Sequence, residues 1–399
     1  MKYTTSLMCS AVAAVALTVG TSVSADTIKI GASAPKSGPQ AGAASAVYWP
    51  TLELWVHNVN EAGGLDVGGE KMMIELIAYD DKSQPDEAVK NIQRLTTQDK
   101  VDFLAAPYTT GLNLATAPLI ARAGLPQIVA TGNLNNLEPF VSKWPNTFWL
   151  LGRSSDLSTG IVGTLTEMRE KGEVGSKVAL VHVGDAFGLE MMAGGKPAFE
   201  EAGFEIVYES SYPLGTQDLA PVISSANASG ADAFVAYSYP PDSFALTEQA
   251  QVQGFNPDVF YVGVGGALTG FGERFGNSVE GVMAMGGIDP TSEAYKTFRE
   301  QQIEVTGVAP DYWANPVVYA SMEILGAAIE RVGSLDKATV ISEIQTGSFV
   351  TVIGEVSFSD NIVEQVWNVG QWHDGTFYGV NAKGLKPAAE PFVKPAWSN

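Results

Sequence analysis

The feature of this chain that most constrains its fold is a repeated alternation of β-rich and helical segments. In a first block, apolar β-rich runs at 72–79 and 101–106 flank a helical stretch that begins near Ser83. A second block repeats the pattern between β-rich runs at 177–183 and 259–264. Strands that alternate with helices form parallel sheets with helices on both faces. The sequence therefore predicts an α/β protein with two lobes, each built on a parallel-core sheet.

The first 25 residues have the pattern of a cleaved secretion signal. Lys2 precedes an apolar run at 7–19, and Val23-Ser24-Ala25 is typical of a cleavage site, so we expect cleavage after Ala25. The apolar run is shorter than the roughly 20 residues of a membrane span, although a retained anchor stays open as the alternative. The only cysteine, Cys9, lies within this segment. We therefore expect an exported mature chain without disulfides or cysteine-bound metal.

Composition excludes several classes of function. The chain has 44 acidic and 23 basic residues, a formal net charge of −21, which argues against nucleic acid and anionic membranes as partners. Its three histidines, His57, His182 and His373, do not have metal-ligand spacing. The sequence contains neither a Gly-x-Ser-x-Gly elbow nor a phosphate-binding Gly-Lys-Ser/Thr loop. We therefore expect no metal, no cofactor and no enzymatic activity.

The first candidate binding element is a turn near the mature N-terminus. An apolar strand at 28–34 leads into Lys36-Ser37-Gly38-Pro39, and a helical stretch opens near Gly42. A junction between a strand and a helix directs backbone N–H groups into a cleft, which suits an anionic group. Ser37 is therefore a candidate ligand-binding residue.

Short motifs follow one another along nearly the whole mature chain. They are Ser37–Pro39, Ala106–Thr110, Ala123–Pro126, Arg153 with Asp156, Asp185–Gly188, Tyr212–Asp218, Ser229–Asp232 and Leu325–Ser334. In this order and spacing they resemble the periplasmic solute-binding proteins of the leucine/isoleucine/valine type, the receptors that serve ABC importers. The resemblance implies a type I clamshell of two Rossmann-like lobes between which the chain crosses three times.

The resemblance also implies domain boundaries and partners. The crossings are expected near residues 150, 282 and 354, with an N-terminal lobe of 26–150 plus 282–354 and a C-terminal lobe of 151–281 plus 355–399. A small-molecule ligand binds between the lobes and favours the closed form. The closed form is then recognised by the transmembrane permease of an ABC importer. The expected protein is a periplasmic monomer.

In the first lobe, the resemblance assigns ligand contacts to the ends of two strands. Tyr108, Thr109 and Thr110 stand where a strand ends and a helix begins, so hydroxyl and N–H groups can hold a carboxylate. Plain helix capping is the alternative. Ala130-Thr131-Gly132 ends the next strand at the same sheet edge, where α/β proteins bind ligands, and a tight turn is the alternative.

In the second lobe, the resemblance assigns two aromatic residues to cover the ligand. Phe187 belongs to the Asp-x-Phe-Gly turn, and a core position is its alternative. Tyr239 follows the strand at 233–237, and an exposed loop position is its alternative.

Two departures from the family pattern restrict the range of ligands that we expect the cleft to bind. Amino-acid binders of this family place an acid after a later strand, at a position that aligns with Val264 within a residue or two. An aromatic residue that often contacts the ligand aligns with Ala43, although Tyr48 and Trp49 lie nearby. An ammonium group in a closed cleft needs a charged partner. A non-zwitterionic carboxylate or amide, including an aromatic one, is therefore favoured, and an unusual amino acid remains an alternative.

Two rival functions stay open. They are a ligand sensor of the same fold and an exported hydrolase.

Overall fold

The protein is described by a computed structural model that covers residue 1 and residues 27–398. The expected signal segment and its cleavage site after Ala25 lie outside the described residues. Within the described part of the chain, no helix combines the length and the apolar character needed to cross a membrane.

The first sheet has four strands in the order β2-β3-β1-β4, with a separate parallel pair, β5 and β6, following in the chain. Strand β1 is parallel to β3 and β4, whereas β2 and β3 form an antiparallel hairpin. The strands are β1 (Thr27–Ala34), β2 (Leu65–Val67), β3 (Glu70–Asp80), β4 (Phe103–Leu104), β5 (Gln127–Val129) and β6 (Thr147–Trp149).

Five helices belong to this part of the chain. They are α1 (Ala41–Val47), α2 (Trp49–Glu61), α3 (Pro85–Arg94), α4 (Thr110–Arg122) and α5 (Leu137–Lys143), with a π-helical turn at Leu95–Asp99. Helix α3 illustrates the local signals, because Pro85 occupies its first position and Asp86 and Glu87 lie in its first turn. Its buried residues Ala88 and Ile92 lie one turn apart and face the core.

The second sheet has seven strands in the order β15-β14-β11-β10-β9-β7-β8. Strands β7 to β11 are mutually parallel, and β14 and β15 join them as an antiparallel hairpin. The strands are β7 (Lys177–Val183), β8 (Glu205–Tyr212), β9 (Ala233–Tyr237), β10 (Val259–Val262), β11 (Met283–Met285), β14 (Val366–His373) and β15 (Thr376–Lys383). The helices of this sheet are α6 (Ser154–Glu170), α7 (Ala186–Glu201), α8 (Ala220–Ala228), α9 (Pro240–Val252) and α10 (Thr269–Phe275).

Between β11 and β14 the chain returns to the first sheet. It forms α11 (Glu293–Thr306), α12 (Ala314–Val332), α13 (Lys337–Thr346) and the hairpin of β12 (Ser348–Thr351) and β13 (Gly354–Ser357). Helix α12 packs against α2 and β2 of the first sheet. We call the elements around the first sheet, including α11 to α13 and the β12–β13 hairpin, the first lobe, and those around the seven-stranded sheet the second lobe. The predicted α/β architecture with two parallel-core sheets is confirmed.

The strand pairings bear on two of the expected crossing points, near residues 282 and 354. Met283–Met285 forms backbone hydrogen bonds with β10 and β14, so the chain leaves the second sheet after residue 285 and not at 282. Gly354–Ser357 pairs with β12, so the third crossing lies after residue 357 and not at 354. For β11, pairing with distant strands rather than local composition decides which sheet the short segment joins.

Candidate ligand-binding cleft

A cavity lies where strand ends of the two lobes face each other. Its volume is about 40 Å³, and it opens into solvent. Its walls come from both lobes and from the segments that connect them. The lining residues are Tyr108, Thr109, Thr110, Ala130, Thr131, Gly132, Asn133, Leu151, Phe187, Tyr239, Val264, Met285, Trp313 and Ala314.

The structure brings nine of the ten sequence-predicted site residues to this one cavity. The nine are Tyr108, Thr109, Thr110, Ala130, Thr131, Gly132, Phe187, Tyr239 and Val264. Their common location follows from topology, since the carboxyl ends of parallel strands meet at one edge of each sheet. The tenth residue, Ser37, lies elsewhere.

Ser37 does not line this cavity, and its turn is occupied by a carboxylate of the protein itself. The Ser37 hydroxyl donates to Oδ2 of Asp80 over 2.7 Å. The backbone N–H groups of Lys36 and Ser37 donate to Oδ1 of the same residue over 2.8 and 3.2 Å. These hydrogen bonds lower the pKa of Asp80 despite the opposing effect of its partial burial. The predicted anion cradle exists, but Asp80 fills it.

The polar side of the cleft is the beginning of helix α4. Thr109, the residue before the helix, has a φ of +69° and provides no side-chain cap. Its N–H donates to the Thr131 hydroxyl over 3.2 Å, and the Thr110 hydroxyl accepts from the N–H of Asn133 over 3.2 Å. The first N–H groups of a helix lack intrahelical partners and carry partial positive charge. This edge can therefore hold a carboxylate or another anionic oxygen.

The opposite wall consists of two aromatic residues at the ends of second-lobe strands. The rings of Phe187 and Tyr239 lie 5.0 Å apart between centroids, tilted by 35°. Both side chains are at most 6% exposed. Asp185 positions the pair, because its Oδ1 accepts from the N–H of Gly188 over 3.1 Å and its Oδ2 accepts from the Tyr239 hydroxyl over 2.9 Å. The aromatic wall is thus held by hydrogen bonds behind it.

The glycine of the Asp-Ala-Phe-Gly turn has a steric role. A Cβ atom on Gly188 would lie 1.8 Å from the carbonyl oxygen of Val183, so only glycine allows α7 to begin this close to the end of β7. The close approach places Phe187, one residue earlier, in the wall of the cavity.

A second buried acid supports the Tyr239 backbone. Oδ2 of Asp242, in the first turn of α9, accepts from the Tyr239 N–H over 3.3 Å and from the Tyr212 hydroxyl over 3.4 Å. Burial raises the pKa of Asp242 to about 6, against the opposing effect of these hydrogen bonds. Burial likewise raises the pKa of Asp185.

Trp313 forms a further wall of the cavity, at the start of α12. Oδ1 of Asp311 accepts from the N–H groups of Trp313 and Asn315 over 3.1 and 2.8 Å, which shapes the loop that enters the helix. Gly286 provides room for the indole, since a Cβ atom there would lie 2.1 Å from Cγ of Trp313. The φ of Gly286 is +85°, a conformation that favours glycine.

Sequence reasoning missed five lining residues, Asn133, Leu151, Met285, Trp313 and Ala314. Asn133 directly follows the predicted Ala130-Thr131-Gly132 turn, so extending that turn by one residue would have included it. Met285 ends strand β11, which the expected boundary at 282 assigned to the other lobe. Leu151 and Trp313 lie on connecting segments, whose position depends on how the two lobes meet.

The lining of the cavity carries no formal charge. None of its residues is an acid, a lysine, an arginine or a histidine, and the aliphatic Val264 stands at the end of β10. Burial, with a contribution from Asp311, raises the pKa of Tyr108, so its phenol stays protonated and can donate a hydrogen bond. Across residues 27–398, no group of three or more His, Cys, Asp or Glu side chains is arranged to hold a metal ion.

Known proteins share both the fold and the sequence pattern. Two solved structures each have a TM-score of 0.76. One is a solute-binding protein of an ABC transporter from Rhodopseudomonas palustris in complex with 3,4-dihydroxybenzoic acid, 21% identical and covering 92% of this chain and 99% of that one. The other is a branched-chain amino acid transporter substrate-binding protein from Streptococcus pneumoniae in complex with isoleucine, 22% identical and covering 91% and 100%. These likenesses show a shared fold.

The sequence comparisons identify the family. Leu/Ile/Val-binding protein homolog 3 of Brucella melitensis is 24% identical over 358 residues, which cover 88% of this chain and 93% of that protein. The family model for periplasmic binding proteins matches residues 27–376, most of the chain. The chain therefore belongs to the periplasmic binding proteins and resembles their leucine/isoleucine/valine-binding members.

Proposed function

We propose that this protein is the extracytoplasmic substrate-binding receptor of an ABC importer. It captures a small carboxylate-, amide- or amino-acid-like solute in the cleft between its lobes and delivers it unchanged to a membrane permease. The observation that carries the proposal is the cavity itself, whose walls come from strand ends of both lobes. A ligand that contacts both walls binds the closed arrangement better than an open one, which is what drives closure.

The contacts divide between the two lobes. The beginning of α4, with Thr109 and Thr110, receives the anionic or carbonyl end of the solute, because the N–H groups of the first helical turn and the two hydroxyls can donate hydrogen bonds to it. Phe187 and Tyr239 cover its other end. The isoleucine of the Streptococcus pneumoniae protein and the dihydroxybenzoate of the Rhodopseudomonas palustris protein are both small carboxylates, in agreement with this class.

Export follows from the family and from the predicted signal. We propose that the mature chain begins at Asp26, resides in the periplasm and acts as a monomer. The boundaries of its lobes would lie after residues 150, 285 and 357.

A ligand sensor of the same fold is the alternative function, and it shares the same cleft. The two differ in what the closed form engages, a permease or a signalling partner. Reconstitution of the protein with candidate ABC permeases distinguishes them, because a receptor supports ATP-dependent uptake of its solute.

Binding without chemistry is tested directly. Thermal unfolding in the presence of amino acids, aromatic acids, amides and short-chain acids at millimolar concentration should reveal a solute that raises the melting temperature, because ligand that binds only the native state stabilises it. The solute should then be recovered unchanged after prolonged incubation. Chemical conversion of the solute would contradict the proposal and favour an exported hydrolase.

A further inference from the structure

Aromatic side chains from both lobes line the cleft. Four aromatic side chains line it: Tyr108 from the first lobe, Trp313 at the start of α12, and Phe187 and Tyr239 from the second lobe. Each is at most 6% exposed. Ring faces carry negative electrostatic potential and attract cations, most strongly for tryptophan and in sites removed from water. We call these four residues the aromatic box.

Charges behind the box have one sign. Asp185 accepts from the Tyr239 hydroxyl, Asp242 accepts from the Tyr239 N–H, and Asp311 accepts from the Trp313 N–H. The carboxylate of Asp311 is buried, and its Oδ2 has no hydrogen-bond partner among residues 27–398. No lysine, arginine or histidine lines the cavity. Among residues 27–398 no basic side chain forms an ion pair with these three acids, so they would repel a ligand that brings only negative charge and attract a cationic group.

Of the possible cationic groups, the lining suits an ammonium group that carries no N–H donors. A primary ammonium has three donors that need acceptors once water is removed. The wall opposite α4 offers the aliphatic Val264, the thioether of Met285 and aromatic rings, and the proton of the Tyr239 hydroxyl is already directed at Asp185. A methylated ammonium needs no acceptors and is stabilised by ring faces.

We propose that the solute is a zwitterion whose methylated ammonium group lies in the aromatic box and whose carboxylate lies at the start of α4. The ligand class is thus an N-methylated amino acid of the betaine type. The inference rests on the proposed function and specifies the substrate of the same cleft. It also revises the sequence-based preference for a non-zwitterionic acid. That preference arose because Val264 stands where amino-acid binders have an acid, whereas the aromatic box would provide a different site for the cation.

Isothermal titration calorimetry with two matched probes tests the inference. Trimethylglycine carries the quaternary ammonium, and 3,3-dimethylbutanoate replaces its charged nitrogen with a neutral carbon while keeping nearly the same shape and the same carboxylate. We expect trimethylglycine to bind at least tenfold more tightly than the isostere and at least tenfold more tightly than glycine. Phe187→Leu should reduce the affinity for trimethylglycine about tenfold and change that for 3,3-dimethylbutanoate less than twofold. Phe187→Tyr, which keeps the ring, should preserve the preference.

The outcomes separate this inference from the proposed function. Equal or tighter binding of 3,3-dimethylbutanoate, benzoate or leucine than of trimethylglycine overturns the cation site and leaves a receptor for another solute. Conversion of any of these probes contradicts the proposed function itself. The comparison of probes uses the unmodified protein, so it decides the question even if Phe187→Leu fails to fold.

Discussion

The hydroxyl of Tyr239 donates a hydrogen bond to Oδ2 of Asp185 over 2.9 Å, which joins the ends of two adjacent parallel strands of the second lobe, β9 and β7. The acid also caps helix α7 through Gly188. One carboxylate thus orients both aromatic residues that cover the cleft, Tyr239 directly and Phe187 through the helix that it begins.

Removal of this hydroxyl should destabilise the protein. In Tyr239→Phe, Asp185 loses one of its donors, and a hydrogen bond to a charged group contributes roughly 1.5–3 kcal/mol. Because Asp185 is only partly buried, we expect a loss of about 1 kcal/mol in the free energy of unfolding, measured in urea. Tyr378→Phe is the control, since the Tyr378 hydroxyl has no protein partner among residues 27–398. Equal losses in both variants would contradict the role of the bond.

The start of α4 should dominate binding of the solute's carboxylate. The double change Thr109→Ala and Thr110→Ala removes two hydroxyls from the cavity wall. Hydrogen bonds to a charged group lead us to expect a loss of about 1–3 kcal/mol in binding free energy, measured by calorimetry with the solute found in the thermal screen. Ser37→Ala should leave the affinity unchanged, because its hydroxyl is engaged by Asp80. If Ser37→Ala weakened binding and the double variant did not, the carboxylate would bind at the Ser37 turn instead.

Gly286 should be indispensable for the position of Trp313. In Gly286→Ala, the new Cβ would stand 2.1 Å from the indole Cγ, at a φ of +85°. We expect weaker solute binding together with a loss of roughly 2–4 kcal/mol in stability, since strain and collision add. Gly307→Ala is matched in backbone, with a φ of +70° and open space around it, and should cost only about 1 kcal/mol without affecting binding. A similar melting temperature for both variants would exclude the collision.

Arg153 joins segments of both lobes by ion pairs. Its guanidinium contacts Glu138 of α5 over 2.6 Å and Glu364, just before β14, over 3.3 Å. We expect Arg153→Gln to lower the free energy of unfolding by about 1 kcal/mol at low ionic strength and by less in 0.5 M salt, because these groups are partly exposed and screened. Arg274→Gln loses one exposed pair with Glu248 and should change stability less. Independence from salt would contradict an electrostatic contribution.

Glu323 of α12 should make stability fall as the pH rises. Burial raises its pKa to about 7 in the folded protein, against the opposing hydrogen bond from the Val352 N–H, while a free glutamate titrates near 4.5. The folded state therefore binds the proton more tightly, and the stabilisation present below about pH 4.5 is lost as the pH rises through 7.

Glu323→Gln should remove this dependence. Relative to the unmodified protein, the variant should gain on the order of 1–2 kcal/mol in unfolding free energy between pH 5 and pH 8. Exposed Glu304→Gln serves as the control and should follow the unmodified protein at each pH. If the two variants show the same pH profile, the Glu323 carboxyl is not the titrating group.

Local signals were sufficient for most elements. Strands β7 and β9 begin and end where their apolar runs do, and the strand–turn–helix junction at Thr109 and Thr110 was visible in the sequence. Phe187 and Tyr239 were found only through motifs that resemble a known family. The sequence could not predict which sheet Met283–Met285 joins, because a three-residue strand carries too little pattern to indicate its partners.

By itself, the sequence determined the alternation of strands and helices and hence two parallel-core lobes with polar groups at their strand ends. Those properties depend on residues a few positions apart. Only the tertiary structure decided that Asp80 occupies the turn at Ser37, forty-three residues before it, and that Trp313 and Met285 reach the cleft. These contacts join segments distant in the chain, so they depend on strand order and on the packing between lobes.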